Sequence, residues 1–339
     1  MSDTGALLAE MTARLLARIC DDATMRAARG GIWQQSAWDA AVEQGLPLAL
    51  VEGEQGFGVP LEEGLALIGL FGRHALPLPL AETMIGNALL ARAGLPVAEG
   101  VVALVPDGIA LRQDGTGWRA AGTADRIAWG RDATTLVVED GGRIALVTSD
   151  FDVTAQGDNM AGMPRDRIAV DAGADVAAST GVSLLEAGAL IRALTMAGAL
   201  QTLVALTVAH VTERVQFGRA LSGFQAVQHS LARLASEAAA ASAAADLAAD
   251  AFVAASPQFG IAIAAARARI SDAAGIAIGI AHQLHGAIGF TDEHRLHWFT
   301  TALWSWRDEF GSAAWWTRRL GRAALAQSSQ AYWPFVTAV

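Results

Sequence analysis

From Ala193 to Val211 the chain carries no Asp, Glu, Arg or Lys. An uncharged stretch of that length has two solutions: it crosses a membrane, or it forms a helix wrapped by other helices. Gln201, His210 and the threonines at 195, 202 and 207 interrupt it, and small and large side chains alternate along it. A helix buried in a core, not a membrane span, is the expectation. At 339 residues the chain is long enough to surround such a helix and to form two or three packed units. With 53% hydrophobic and only 17% charged residues, disorder is excluded and closely packed, alanine-rich helices are favoured.

The hydrophobic period divides the rest. Residues 1–98 read as an N-terminal helical domain. It starts with the amphipathic "MSDTGALLAEMTARLLARIC", which lacks the pattern of a secretory signal, and continues through "GLPLALVEGEQGFGVPLEEGLALIGLFG" with Gly- and Pro-marked turns. Residues 99–172 read as a short middle β domain. "VVALV", "GIALRQ" and "TTLVVEDGGRIALVTS" are short and rich in Val and Ile, and "EDGG" marks a hairpin. The strands are expected to end near Val170, with "DAGADVAASTG" as a linker. Residues 180–330 read as a C-terminal four-helix bundle. Phe224, Val227, Leu231 and Leu234 share one helix face, Pro257 separates that helix from the next, and "GAIGFTD" ends the latter. Thr291 or Asp292 is expected to cap a following helix whose apolar face is Leu296, Phe299, Leu303 and Trp306. The expected fold class is mainly α with a small β domain.

Net charge is −10, and all 24 basic residues are arginines scattered along the chain, so a nucleic-acid partner is not expected. Cys20 is the only cysteine; it excludes an intramolecular disulfide or a thiolate metal site and suits a reducing, cytoplasmic setting. Four of seven histidines, His282, His285, His294 and His297, fall in two i, i+3 pairs that would suit zinc or iron. No HExxH and no repeated ExxH accompanies them, so no metal is expected.

"RVQFGRALSGFQAVQHSLARL" (214–234) and "QLHGAIGFTDEHRLH" (283–297) resemble segments of the acyl-CoA dehydrogenases, flavin enzymes that desaturate acyl-CoA thioesters. "GLPLALVEGEQGFG" resembles their N-terminal helical domain, and the helix–β–helix order their three-part fold. The resemblance implies FAD as cofactor, with "R-x-x-F-G" and "Q-x-x-G-G-x-G" elements touching the ADP half of a flavin seated mainly on a neighbouring subunit. Carried over, the contacts are Arg214, Phe217, Gly218 and Gln225, then Gln283, Gly286, Ala287 and Gly289. Ala287 stands where the family has its second glycine. An arginine fork and glycine-exposed amides are suited to a pyrophosphate.

The family's reaction also needs a carboxylate base within reach of the substrate α-proton. Where the resemblance places "Y-E-G-T", this chain reads "E-F-G-S", with Phe310 at the position of the base. The alternative seat, on the helix before "R-x-x-F-G", falls on Gly188. Glu309 and Glu186 are near misses, displaced by a helix rotation of about 100° per residue; Glu309 remains the one candidate catalytic residue, otherwise expected to be a partly exposed carboxylate near Arg307 and Arg318. The family's "T-E-P-x-x-G-S-D"-like loop has no counterpart in "ALVPDGIALRQDG", and Ala128 stands where a hydroxyl near the flavin is expected.

This asymmetry resembles the short, base-lacking subunit of bacterial α2β2 enzymes that act on steroid side-chain CoA esters. It implies a larger acyl-CoA dehydrogenase subunit as partner, an acyl-CoA substrate and electron-transfer flavoprotein as acceptor. A self-sufficient homo-oligomer using Glu309 and a scaffold binding no cofactor are the alternatives.

Overall fold

A computed structural model describes residues 2–53, 56 and 58–337. Glu54, Gln55 and Phe57, within the stretch assigned above to the N-terminal helices, lie outside the described residues. Two compact units are present: 1–67 with 76–191, and 68–75 with 192–339.

The first unit begins with α1 (Asp3–Ile19), α2 (Asp22–Arg29) and α3 (Gln35–Glu43), followed by the start of α4 (Leu61–Arg73) and by α5 (Leu80–Arg92). Ser2 and Asp21 cap α1 and α2 by accepting from the amides of Gly5 and Thr24. α5 is buried along nearly its whole length. Its Asn87 is matched by the Ala98 amide and the Pro47 carbonyl, so a polar group persists there without an unpaired atom.

The same unit holds a seven-stranded sheet: β1 (Val102–Val105), β2 (Ile109–Asp114), β3 (Gly117–Ala128), β4 (Thr135–Asp140), β5 (Arg143–Val147), β6 (Phe151–Ala155) and β7 (Arg165–Ala178). The order is β1-β4-β5-β7-β3-β2, with β6 also on β7; only β1 and β4 run parallel. The "EDGG" hairpin forms as expected. Asp140 pairs with Arg143, and Gly141 and Gly142 both take positive φ, as a two-residue turn of this hand requires.

The expected linker is corrected. "DAGADVAA" continues β7 instead of leaving the sheet, because its residues pair with β3 at one end and β5 at the other. Ala, Asp and Gly have little strand preference of their own; neighbours on both sides override it.

The second unit contains most of α6 (Leu184–Glu213), with α7 (Gln225–Val253), α8 (Phe259–His285), α9 (Leu296–Trp306), α10 (Ala313–Leu325) and α11 (Tyr332–Thr337). α6 contains the uncharged stretch, and 72% of its most apolar window is buried, as a core helix requires. Glycine explains the close packing against residues 68–75. A Cβ on Gly198 would lie 1.9 Å from the Gly69 carbonyl oxygen, and one on Gly72 1.9 Å from that of Thr195. The buried stripe of α7 is Leu234, Ala238, Ala241, Ala245, Ala248 and Phe252, mostly alanine facing neighbouring helices. Leu296, Phe299, Leu303 and Trp306 are all buried in α9, as expected. The cap is corrected: at the start of α9 the Leu296 amide donates to His294 Nδ1, Arg295 at the cap position makes no side-chain bond, and the Thr291 hydroxyl donates to the Ile288 carbonyl instead. The fourth bundle segment is two helices, α9 and α10, broken at 307–312.

Candidate functional site

Arg214 follows the last residue of α6, and the chain then makes a two-stranded hairpin, β8 (Val215–Gln216) and β9 (Arg219–Ala220). Phe217 and Gly218 form its two-residue loop, both with positive φ. A glycine adopts this readily; a phenylalanine is held there against a steric cost. The Phe217 ring meets Phe224 edge-on at 6.2 Å, and Arg219 lies over Phe224 at 4.0 Å, yet Phe217 remains 90% exposed. Gln225 opens α7 directly after.

The second motif lies at the end of α8. Gln283 is in its last turn, and Gly286 stops it with φ 64 and ψ −143, a region that only glycine enters without strain. A short 3-10 turn, Gly286–Phe290, follows. Gly289 is buried inside it: a Cβ there would meet Leu296 at 2.9 Å and His285 at 3.0 Å. Ala287 is exposed and is not among the positive-φ residues, so its methyl needs no adjustment. Phe290 is 73% exposed and stacks on His282 at 4.3 Å.

The structure brings these two motifs together. His210, one turn before Arg214, stacks on His285, the residue before Gly286, with ring centroids 4.4 Å apart. His294 joins both, at 4.7 Å from His285 and 6.1 Å from His210. Arg214, Gln225 and Gln283 are exposed at this end, and no hydrogen bond or ion pair within the described residues engages their side chains. One guanidinium, two carboxamides and glycine-flanked backbone are therefore available to a polar, anionic ligand. That donor set fits the ADP portion of a flavin nucleotide. Sequence reading missed His210 as a member of this end, because it lies 75 residues from His285; its only local signal is the i, i+4 spacing to Arg214.

The carboxylates near the expected base behave differently. Glu309 is 8% exposed, and its Oε2 accepts from Arg192 Nε at 2.6 Å. This corrects the expected partly exposed carboxylate near Arg307 and Arg318: the end of α9 turns inward, and Arg192 on α6 is its partner. Arg267, with no exposed surface, donates through Nη2 to the carbonyls of Trp306, Arg307 and Glu309 at 3.0, 3.1 and 2.8 Å. It thereby satisfies the orphan carbonyls at the end of α9. Burial away from water pushes its pKa down to about 10, with Arg192 adding repulsion.

Phe310 (φ 51) and Gly311 (φ 91) turn the chain, the Phe310 carbonyl accepts from Trp316 Nε1 at 2.9 Å, and Ser312 caps α10. The Phe310 ring lies 5.5 Å from the Arg192 guanidinium. "E-F-G-S" is thus a helix stop and restart. Gly188 is buried within α6. Glu186 forms a capping box with Ser183: the Ser183 hydroxyl donates to Oε2 at 3.0 Å, and its Oγ accepts from the Glu186 amide at 3.2 Å. Glu139 caps the same helix start through the Leu184 amide; burial raises its pKa, partly offset by that bond.

In the first unit, Ala128 and Trp129 are buried at the end of β3. Trp129 takes φ 62 and meets Trp33 edge-on at 6.2 Å. At the position where a hydroxyl was expected stands the buried methyl of Ala128.

Residues 177–322 match the family described as acyl-CoA dehydrogenase, C-terminal domain. This segment, a little under half of the chain, is similar to an acyl-CoA dehydrogenase C-terminal domain. The helical, sheet and helical layout of the whole chain is the acyl-CoA dehydrogenase fold. Acyl-CoA dehydrogenase IpdE2 of Mycobacterium tuberculosis is 38% identical over 114 residues, and the match spans only 34% of this chain and 34% of that relative. The ChsE4-ChsE5 complex of Mycobacterium tuberculosis superposes with a TM-score of 0.85 over 97% of this chain and 99% of its own, at 19% identity. The steroid ACAD Tcur3481-Tcur3483 follows at 0.84, over 94% and 96%, with 20% identity. The similarity to these two structures is one of fold. Both motifs at the exposed end lie within the matched C-terminal domain.

Proposed function

We propose that this chain is a subunit of an FAD-dependent acyl-CoA dehydrogenase that supplies ADP-side flavin contacts to a larger partner subunit, which carries the catalytic base. One observation carries the reading: Arg214, Gln225 and Gln283 are exposed and engaged in no hydrogen bond or ion pair among the described residues, whereas Glu309 is buried against Arg192. FAD, when bound, supplies the acceptor for the substrate β-hydride. In this reading Arg214 forks onto the pyrophosphate, Gln225 and Gln283 orient the nucleotide, and Gly218 and Gly286 keep the backbone accessible. Phe217 and Phe290 present apolar surface beside these polar groups, which suits burial against another chain.

The similarity in fold to two structures named as paired proteins supports a heteromeric α2β2 assembly, and the steroid ACAD among them supports a bulky acyl-CoA such as a steroid side-chain ester. Electron-transfer flavoprotein is the proposed acceptor. Co-expression with a full-length acyl-CoA dehydrogenase, followed by flavin counting, tests the reading. One flavin per pair of unlike chains is expected, with none retained by this chain alone. A yellow, desaturating homo-oligomer of this chain would overturn it.

A further inference from the structure

Three imidazoles from three separate elements meet at one point. His210 is in the last turn of α6, His285 is the last residue of α8, and His294 lies in the turn before α9. One ligand atom from each lies within 4.8 Å of the other two. We infer that His210, His285 and His294 form a binding site for one divalent late-transition-metal ion of the zinc, cobalt and nickel type, with a further coordination position left open.

The protonation of His285 carries most of the argument. Its Nδ1 lies 2.8 Å from the Ala281 carbonyl, which can only accept, so Nδ1 holds the proton and Nε2 the lone pair. That Nε2 is buried with no hydrogen-bond partner, in a residue only 5% exposed. A buried lone pair without a donor is unfavourable, and one ring nitrogen each of His210 and His294 lies within 4.8 Å of a ring nitrogen of His285. An imidazole oriented by a backbone carbonyl through one nitrogen, with the other nitrogen free, has the arrangement of a metal-bound histidine.

Burial favours the neutral, ligating form of all three rings. It pushes His285 down to about 4, with His210, His294 and His282 opposing its charge; burial also lowers His210 and His294 from their ordinary value. Nitrogens around a tetrahedral zinc, at bond lengths of about 2.0–2.1 Å, stand roughly 3.4 Å apart. The cluster must therefore close by roughly 1.5 Å at most. His294, on a turn instead of a helix, is the member free to do so. Its Nδ1 accepts from the Leu296 amide at 3.1 Å, so ligation through Nε2 moves the ring proton to Nδ1 and gives up that contact. His210 and His294 are partly exposed, which leaves a route for the ion. Three nitrogen donors select borderline ions and not magnesium or calcium, which take oxygen.

The test is titration of the chelator-treated full chain with Co2+, read by its visible ligand-field absorption, and then displacement by Zn2+. One ion per chain is expected, displaced stoichiometrically. His285→Ala should weaken binding at least tenfold. Because that residue is buried, the partly exposed pair His210→Gln with His294→Gln, confirmed folded by circular dichroism, is the second variant and should abolish the cobalt spectrum. Substitution of the exposed His229, on α7, should change nothing. Absence of a ligand-field spectrum in the wild-type chain, or a spectrum that survives the double substitution, would overturn the site. Flavin content does not enter this readout, so it stands apart from the dehydrogenase reading.

Discussion

The two ends of the C-terminal unit's chemistry are built in opposite ways. Beside the ends of α6 and α8 and at the start of α7, Arg214, Gln225 and Gln283 are exposed, and no hydrogen bond or ion pair among the described residues engages their side chains. At the break between α9 and α10, Arg192, Arg267 and Glu309 are buried and engaged with one another or with backbone carbonyls. Free donors at a surface are available for binding, whereas buried groups bonded to one another or to backbone are engaged in holding the fold. The contrast is what places the proposed recognition at the first end and a structural role at the second.

The largest effect should come from breaking the buried end. Arg267→Met removes the donor bonded to the α9 carbonyls, and Arg192→Ala removes the guanidinium bonded to Glu309. Each should cost about 3–5 kcal/mol in denaturant unfolding. If either changes stability by less than about 1 kcal/mol, the buried end is not the structural clamp described. Gly311→Ala forces a side chain into positive φ with its Cβ 2.7 Å from Trp316 Nε1, and should cost about 1–3 kcal/mol by the same measurement.

At the open end the pattern should invert. Arg214→Ala and Gln283→Ala should leave unfolding within about 0.5 kcal/mol of wild type. In the co-expressed complex, Arg214→Ala should weaken flavin retention tenfold or more, since a charge-assisted bond contributes about 1.5–3 kcal/mol. Unchanged retention would favour a scaffold that binds no cofactor.

A further effect concerns pH. The His285 pKa is depressed in the folded state, to about 4 against an ordinary 6.5. Between those values the unfolded chain binds the extra proton, so stability is full above about pH 6.5 and falls as pH drops toward 4. Unfolding free energies from urea titrations should fall over that window by an amount on the order of 1–3 kcal/mol, and His285→Gln should flatten the slope.

Much of this was legible in the chain. The uncharged stretch, the "EDGG" turn, Pro257 and the α9 stripe all rest on local periodicity, and each appears where its residues placed it. β7 was misread because "DAGADVAA" owes its strand to neighbours, which a single sequence does not show. The partner of Glu309 was missed for the same reason: Arg192 lies 117 residues away and reaches it only after the helices pack. His210 escaped notice because its meaning depends on the end of another helix. Local pattern specified elements and motifs, whereas the pairings between distant elements decided which polar groups are free.

The most direct measurement is flavin stoichiometry in the purified complex of this chain with a base-carrying acyl-CoA dehydrogenase subunit, made with Arg214 and with Arg214→Ala. The account predicts one flavin per pair of unlike chains, lost on the substitution while the complex stays assembled. Two flavins per pair, unaffected by the substitution, would contradict it.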